Sequence, residues 1–154
     1  MGDGGTDPSI ITSGAGQTRV FVYGSLKRQH ANHPWLEGGF WLGEGHLVGV
    51  QLFDLGPFPM AVPSPTQALP LQGELYGVTW AMLERLDRLE GSPRLFQRHW
   101  LQLGQGNSAW VYLGREHQVR NSRLIPSGIW QGPRQPRWRR PERIPGGMGL
   151  DRSE

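Results

Sequence analysis

Residues 18–26 read Thr-Arg-Val-Phe-Val-Tyr-Gly-Ser-Leu. Residues 18–23 are a short run of mostly β-branched and aromatic side chains between Gly16 and Gly24, a pattern that favours a buried strand followed by a tight turn. A Gly-Ser turn directly after a buried strand points successive backbone N–H groups into the space beyond it. Such donors bind a carboxylate without any lysine. Tyr23, Gly24, Ser25 and Leu26 are therefore a candidate anion-binding turn, with a purely structural turn as the alternative.

The rest of the central region is predicted to contain mainly strands and one long helix. Glycines interrupt the segment 40–53, which indicates a bent strand, and residues 71–79 alternate with a period of two. Residues 79–90 have a helical apolar stripe and a capping threonine at the start. Two further strand-like segments, 96–103 and 109–113, predict a hairpin. This order predicts an α+β domain on a small, partly closed mixed β-barrel, and it excludes a doubly wound parallel sheet.

Glu90 is the candidate acid/base group. The predicted helix stops at Gly91 before Pro93, so that Glu90 is expected among unpaired carbonyls at the negative end of the helix dipole. That position predicts a raised carboxyl pKa, which suits proton transfer near neutral pH. The alternative is a solvated glutamate near a helix end.

Composition limits the possible chemistry. The 154 residues include no cysteine, which excludes disulfides, thiolate catalysis and cysteine zinc sites. Apolar runs are too short to cross a bilayer, so a soluble, cytoplasmic protein with no membrane span is predicted. Residues 1–17 contain five glycines and neither Lys nor Arg; they are expected to be a flexible leader preceding a domain at 18–130.

The positive charge is concentrated late in the chain. Residues 1–114 hold 7 Lys and Arg against 9 acids, a net −2, whereas residues 115–154 hold 9 Arg against 4 acids, a net +5. Residues 131–154, rich in Arg, Pro and Gly, are predicted to be disordered or strapped over the surface. Arginines interleaved with Trp130 and Trp138 suggest nucleic-acid contacts. Because no nucleic-acid-binding module is visible, a solvated tail is the favoured interpretation.

Three other patterns are rejected. The glycines Gly43, Gly45 and Gly49 lie within a strand pattern and open no helix, unlike a dinucleotide-binding loop. His30 and His33 have a metal-compatible spacing, but no third ligand follows and Pro34 ends any helix. Neither a metal site nor a cofactor is therefore predicted. Ser25 has no partner expected of a serine hydrolase.

Taken in order, several short blocks resemble one known family. They are Tyr23-Gly24-Ser25-Leu26, Asn32-His33, Phe53-Asp54-Leu55-Gly56 leading into Phe58-Pro59, Gly73-Glu74-Leu75-Tyr76, Leu86-Asp87 with Glu90-Gly91 and Pro93, Arg98, and Ala109-Trp110-Val111-Tyr112. The chain resembles the gamma-glutamylcyclotransferase-like family over about residues 19–113. It departs from the usual pattern at Phe96, where tyrosine is common, and at Gln29-His30, where glycine is usual.

The resemblance implies a small β-barrel whose cavity takes a gamma-glutamyl compound as its small-molecule substrate. By similarity, Glu90 is the catalytic acid/base and residues 23–26 bind the substrate's α-carboxylate. The α-amine then attacks the γ-carbonyl, giving 5-oxoproline and a free amine. Arg98 and Tyr112 are either pocket residues or ordinary strand residues. The alternative function is a non-catalytic binding module with the same fold.

Overall fold

The computed structural model describes residues 16–133 of the chain. In this range it contains eight strands, one α-helix and two 3-10 helices. The strands and the α-helix, in chain order, are β1 (Thr18–Val22), β2 (Phe40–Leu47), β3 (Val50–Asp54), β4 (Pro59–Pro63), β5 (Leu71–Val78), α1 (Trp80–Leu89), β6 (Gln97–Gln102), β7 (Ser108–Leu113) and β8 (Arg123–Leu124). The 3-10 helices are His33–Leu36 and Glu116–Val119.

The predicted first strand, β1, lies at the centre of the larger sheet. Five strands form this sheet in the order β2-β5-β1-β7-β6, and the other three form a second sheet in the order β4-β3-β8. β1 pairs antiparallel with β5 and parallel with β7. The α+β class is therefore confirmed, as are the strand predicted at residues 71–79 and the β6–β7 hairpin. The segment 40–53, predicted as one bent strand, instead forms β2 and β3, which lie in different sheets.

A closed barrel is not confirmed. In the described part of the chain, β2 and β6 are opposite edges of the larger sheet and do not pair as strands. The turn of the β6–β7 hairpin reaches β2 from this side. There the Gly104 N–H donates to the His46 carbonyl at 2.8 Å, and the Gln105 amide bonds to the backbone of Glu44 and His46. The register shift between Trp41 and Gly43 marks a bulge, which bends β2. The larger sheet thus curls toward closure without completing it.

The core has two layers because β1 is buried on both faces. Val20 and Val22 pack on the side of α1, and Phe21 and Tyr23 pack on the opposite side. The helix begins as predicted, because the Thr79 hydroxyl accepts a hydrogen bond from the Met82 N–H at 3.0 Å. Its three fully buried side chains are Met82, Leu83 and Leu86. Burial of each contributes roughly 1.5–3 kcal/mol to folding.

Trp130 belongs to the core, since its side chain is only 3% exposed. The Lys27 ammonium donates to the Trp130 carbonyl at 3.0 Å, and the His30 ring lies 5.2 Å from the Trp130 ring. The suggestion that Trp130 stacks on nucleic-acid bases is therefore wrong, because the indole is not accessible. Trp138, most of the predicted tail and most of the predicted leader lie outside the described residues. Among residues 16–133, no helix is long and apolar enough to cross a membrane.

Candidate active site

A pocket opens where β1 ends and the predicted anion-binding turn begins. The turn, the end of α1 and the ends of β4 and β7 meet here. Its lining contains all five residues predicted from the sequence to form the site. The lining residues are Phe21, Val22, Tyr23, Gly24, Ser25, Leu26, Phe58, Pro59, Glu90, Phe96 and Tyr112.

The turn presents free backbone donors. Within the described chain, the N–H groups of Gly24, Ser25 and Leu26 are not used in any backbone hydrogen bond of the loop. The turn is nevertheless fixed, because Asn32 donates its backbone N–H to the Ser25 carbonyl and its amide to the Ser25 hydroxyl, both at 2.8 Å. His33 Nδ1 lies 3.0 Å from the Leu26 carbonyl oxygen. A rigid group of unused donors is suited to an anion.

Position 24 requires glycine for a packing reason. A Cβ atom at Gly24 would lie 2.8 Å from Cγ and 3.0 Å from Cδ of Pro59. Because the proline ring is rigid, a side chain at position 24 forces the turn and β4 apart. The glycine therefore allows the backbone donors to approach the opposite wall of the pocket.

Tyr23 is a structural wall of the pocket. Its hydroxyl donates to the Tyr112 carbonyl at 2.6 Å and accepts from the Ala61 N–H at 3.0 Å. Burial, and to a smaller extent the nearby Glu90 carboxyl, raises the pKa of Tyr23 far above its ordinary range. The hydroxyl thus stays protonated and joins the end of β1 to its neighbour β7 and to β4 of the second sheet.

Glu90 is the residue at the carboxyl end of α1, as predicted, but its surroundings differ from the expectation. The Gly91 N–H donates to the Arg88 carbonyl at 3.2 Å and the Ser92 N–H donates to the Asp87 carbonyl at 2.9 Å, with Gly91 at φ +65°. This is a Schellman motif, which satisfies the last carbonyls of the helix. The expectation that Glu90 lies among unpaired carbonyls is therefore wrong for these two groups.

The Glu90 carboxyl nevertheless has a raised pKa. Burial in the pocket raises the pKa of Glu90 from 4.5 to about 7, because removal from water disfavours the charged form. The residue remains partly exposed, so solutes can reach it through the pocket. The direction agrees with the prediction, and the cause that the structure shows is desolvation by the pocket walls. A carboxyl with a pKa near 7 is equally able to accept and to release a proton at neutral pH.

Sequence reasoning left several wall residues unassigned. Phe58 and Phe96 pack against each other in the pocket lining, with ring centroids 5.9 Å apart. Tyr112 also lines the pocket, whereas Arg98 does not and instead pairs with Asp87 at 3.0 Å. The Phe58-Pro59 pair and the position of Phe96 were part of the family resemblance. That resemblance was the sequence feature from which they could have been assigned to the pocket.

No metal site was found in the described part of the chain. Among residues 16–133, no group of three or more His, Asp or Glu side chains is arranged to hold a metal ion. His30 packs against Trp130, and His33 supports the turn through the Leu26 carbonyl. Both histidines thus have structural contacts.

The fold and the pocket define a small α+β protein in which one partly buried carboxyl shares a pocket with a turn of free backbone donors. The family model described as gamma-glutamyl cyclotransferase, AIG2-like, matches residues 20–132. A relative from Escherichia coli (strain K12), named gamma-glutamylcyclotransferase family protein YtfP, is 36% identical over 112 residues, which are 73% of this chain and 95% of that protein. The chain therefore belongs to the gamma-glutamyl cyclotransferase, AIG2-like family.

Solved structures agree with this assignment. The solution structure of YtfP from Escherichia coli matches with a TM-score of 0.59 and 35% identity, covering 73% of this chain and 96% of that one. The crystal structure of an AIG2-like protein from Mus musculus matches with a TM-score of 0.58 and 25% identity, covering 77% of this chain and 97% of that one. Family membership supports an enzyme of the cyclotransferase kind that acts on a small molecule.

Proposed function

We propose that this protein cyclises a gamma-glutamyl amine or a related gamma-glutamyl compound to 5-oxoproline and releases the amine. The observation that carries the proposal is the placement of Glu90, with its pKa raised by burial to about 7, in one pocket with the free N–H groups of residues 24–26. The first feature supplies proton transfer and the second supplies anion binding. The proposal includes a cytoplasmic location, which suits a small-molecule substrate of this kind.

In this mechanism the turn binds the substrate through its α-carboxylate. The three free N–H groups of Gly24, Ser25 and Leu26 donate to the carboxylate oxygens. Among residues 16–133 the pocket lining includes no Lys, Arg or His, so the backbone N–H groups of the turn are the donors that we assign to the carboxylate. Binding at the turn places the rest of the glutamyl chain along the aromatic wall formed by Phe58 and Phe96.

Glu90 then transfers the protons. As a carboxylate, it takes a proton from the α-ammonium, and the freed amine attacks the γ-carbonyl carbon to form the ring C–N bond. As a carboxylic acid, it gives that proton to the leaving nitrogen when the γ-amide bond breaks. The nitrogen that becomes part of the ring loses a second proton to the departing amine. The products are 5-oxoproline and an ammonium ion, so atoms and charge balance.

The reaction requires little further machinery. Nucleophile and electrophile belong to one molecule, and ring closure needs them held in an attack geometry. No covalent enzyme intermediate is required, which is consistent with a chain that contains no cysteine. Glu90 and the turn of residues 23–26 act on the glutamyl part of the substrate and do not specify the leaving amine.

The test is 5-oxoproline release from a panel of gamma-glutamyl amines, gamma-glutamyl dipeptides and glutathione. Glu90→Gln should fold normally and lose roughly 10²–10⁴ in turnover, the usual worth of an acid/base group. Glu84→Gln is the matched control, since Glu84 is exposed on the same helix. For the wild type, kcat/KM should fall tenfold per pH unit below about 7, because Glu90 must be ionised to act as the base.

The alternative, a non-catalytic binding module, gives a different result in the same experiment. It predicts binding of gamma-glutamyl compounds by calorimetry without 5-oxoproline release. Full activity in Glu90→Gln would refute the role of this carboxyl even if the reaction were observed.

A further inference from the structure

A polar cluster lies directly behind the proposed catalytic carboxyl. Asp87 precedes Glu90 by three residues on α1, which places both on one side of the helix. The Tyr112 hydroxyl donates to Asp87 Oδ1 at 2.7 Å, and Arg98 Nε lies 3.0 Å from the same oxygen. One carboxylate thus joins the end of α1 to β7 through Tyr112 and to β6 through Arg98.

The ion pair in this cluster is shielded from solvent. The side chains of Asp87 and Arg98 are each only 24% exposed, so their attraction is screened less than that of a surface pair. The Arg98 guanidinium also lies 4.3 Å from the centroid of the Trp110 ring, a distance typical of a cation–π contact. Within residues 16–133, its buried Nη1 atom has no hydrogen-bond partner. The guanidinium is therefore held by its contacts with Asp87 and Trp110.

Tyr112 connects this cluster with the pocket. Its ring is part of the pocket lining together with Glu90, while its hydroxyl is used by Asp87 behind the lining. The backbone carbonyl of Tyr112 also accepts the hydroxyl of Tyr23. The same residue therefore forms a wall of the pocket and ties the helix end to the strands that carry the turn.

We propose that Asp87, acting through the Tyr112 hydroxyl and Arg98, is the positioning residue that holds the end of α1 against the sheet so that Glu90 faces the turn of residues 23–26. This inference rests on the proposed function for its catalytic consequence. Its structural content, that the cluster keeps Glu90 in place and away from water, is testable without any activity.

The groups around Glu90 allow a change in its pKa to be measured without interference from their own titration. Tyr23 and Tyr112 face it from β1 and β7, and burial keeps the pKa of each phenol far above neutral. Asp87 and Arg98 lie behind Tyr112 and neutralise each other. Since burial alone raises the pKa of Glu90, loosening the helix end admits water and lowers that pKa toward its ordinary value.

The experiment compares Asp87→Ala and Tyr112→Phe with Glu84→Ala as the exposed control on the same helix. Tyr112→Phe removes the hydroxyl and keeps the pocket wall. We expect kcat to fall roughly 10- to 100-fold in both cluster variants, as for a small misplacement of a catalytic group. KM should change less than about threefold, because the carboxylate-binding turn belongs to another element. The acid limb of kcat/KM should lie at lower pH than in the wild type.

Two further measurements separate positioning from a general loss of stability. Asp87→Ala should reduce kcat little when it is added to Glu90→Gln, because the carboxyl that it positions is already absent. A general defect would instead reduce kcat by the same factor in the wild-type and Glu90→Gln backgrounds. The Glu90 carboxyl should also titrate at lower pH by ¹³C NMR in Asp87→Ala than in the wild type. An unchanged Glu90 titration overturns the proposal, whether or not the protein releases 5-oxoproline. If Asp87→Ala does not fold, the same two measurements on Tyr112→Phe decide whether the cluster positions Glu90.

The failure of each idea is distinct. A wild type that converts none of the panel refutes the proposed function, and the NMR titration then still decides the positioning role. An active wild type whose cluster variants keep kcat, or lose activity through KM alone, refutes the positioning role and leaves the proposed function intact.

Discussion

Ionisation of Glu90 should destabilise the folded protein, and the size of this effect can be worked out from its pKa. The carboxyl has a pKa of 4.5 in the unfolded chain and about 7 when folded. Between these values the folded state binds a proton that the unfolded state has lost, so stability decreases as pH rises. A difference of about 2.5 pH units at about 1.4 kcal/mol per unit gives roughly 3 kcal/mol as the upper value. Partial exposure of Glu90 reduces the expected loss to about 2–3 kcal/mol.

The assay is urea unfolding of the wild type and Glu90→Gln at several pH values between 4.5 and 8. Glutamine cannot ionise, so the variant should gain about 2–3 kcal/mol relative to the wild type as pH rises across this range. Every other titrating group is present in both proteins and cancels in the difference. Glu84→Gln should show no such trend, because Glu84 is exposed on the same helix. A wild-type-to-Glu90→Gln difference that stays constant within ~0.5 kcal/mol from pH 5 to 8 would show that Glu90 is not desolvated.

Four further predictions concern the turn, its support and the rest of the chain. Gly24→Ala should raise KM about tenfold and destabilise the folded protein by roughly 1–3 kcal/mol, because the new methyl overlaps Pro59. Unchanged kcat and KM would contradict the close contact between position 24 and Pro59. Lys27→Met should destabilise by about 1.5–3 kcal/mol in urea unfolding, since it removes the charged donor to the Trp130 carbonyl, and a loss below ~0.5 kcal/mol would argue against that anchor. Activity should be unaffected by EDTA, and inhibition reversed by added metal would refute the metal-free mechanism. Removal of residues 134–154 should leave kcat and KM unchanged, because this segment lacks the apolar periodicity of a core strand or helix. Loss of catalysis in a folded truncation would show that the pocket extends into that segment.

Local features of the sequence were sufficient for the elements that carry the chemistry. The apolar run of residues 18–23 predicted β1 and the turn after it, which lines the pocket, and Thr79 and Gly91 correctly marked the two ends of α1. Each of these signals depends on residues close in sequence. They could therefore be interpreted without knowledge of the tertiary structure.

The features that sequence reasoning missed depend on distant contacts. β4 was not predicted, because the prolines Pro59 and Pro63 at its ends are unusual within a sheet. β8 has only two residues and exists through its pairing with β3. The parallel pairing of β1 with β7 brings Tyr112 to Tyr23 across 89 positions of sequence. The burial that raises the pKa of Glu90 depends on the same assembly, so its cause could not be derived from the helix end alone.

The hydrogen bonds of the pocket restrict which group can titrate during the proposed reaction. Both phenols of the lining are used by internal acceptors, Tyr23 by the Tyr112 carbonyl and Tyr112 by Asp87, and burial raises the pKa of each phenol beyond the neutral range. Among the lining residues that the structure describes, Glu90 is the remaining titratable group. In the proposed mechanism one carboxyl must therefore serve first as base and then as acid, which requires a pKa near the working pH. The acid limb of the rate profile then belongs to Glu90, and any basic limb belongs to the α-ammonium of the substrate and should move when the basicity of that amine is changed.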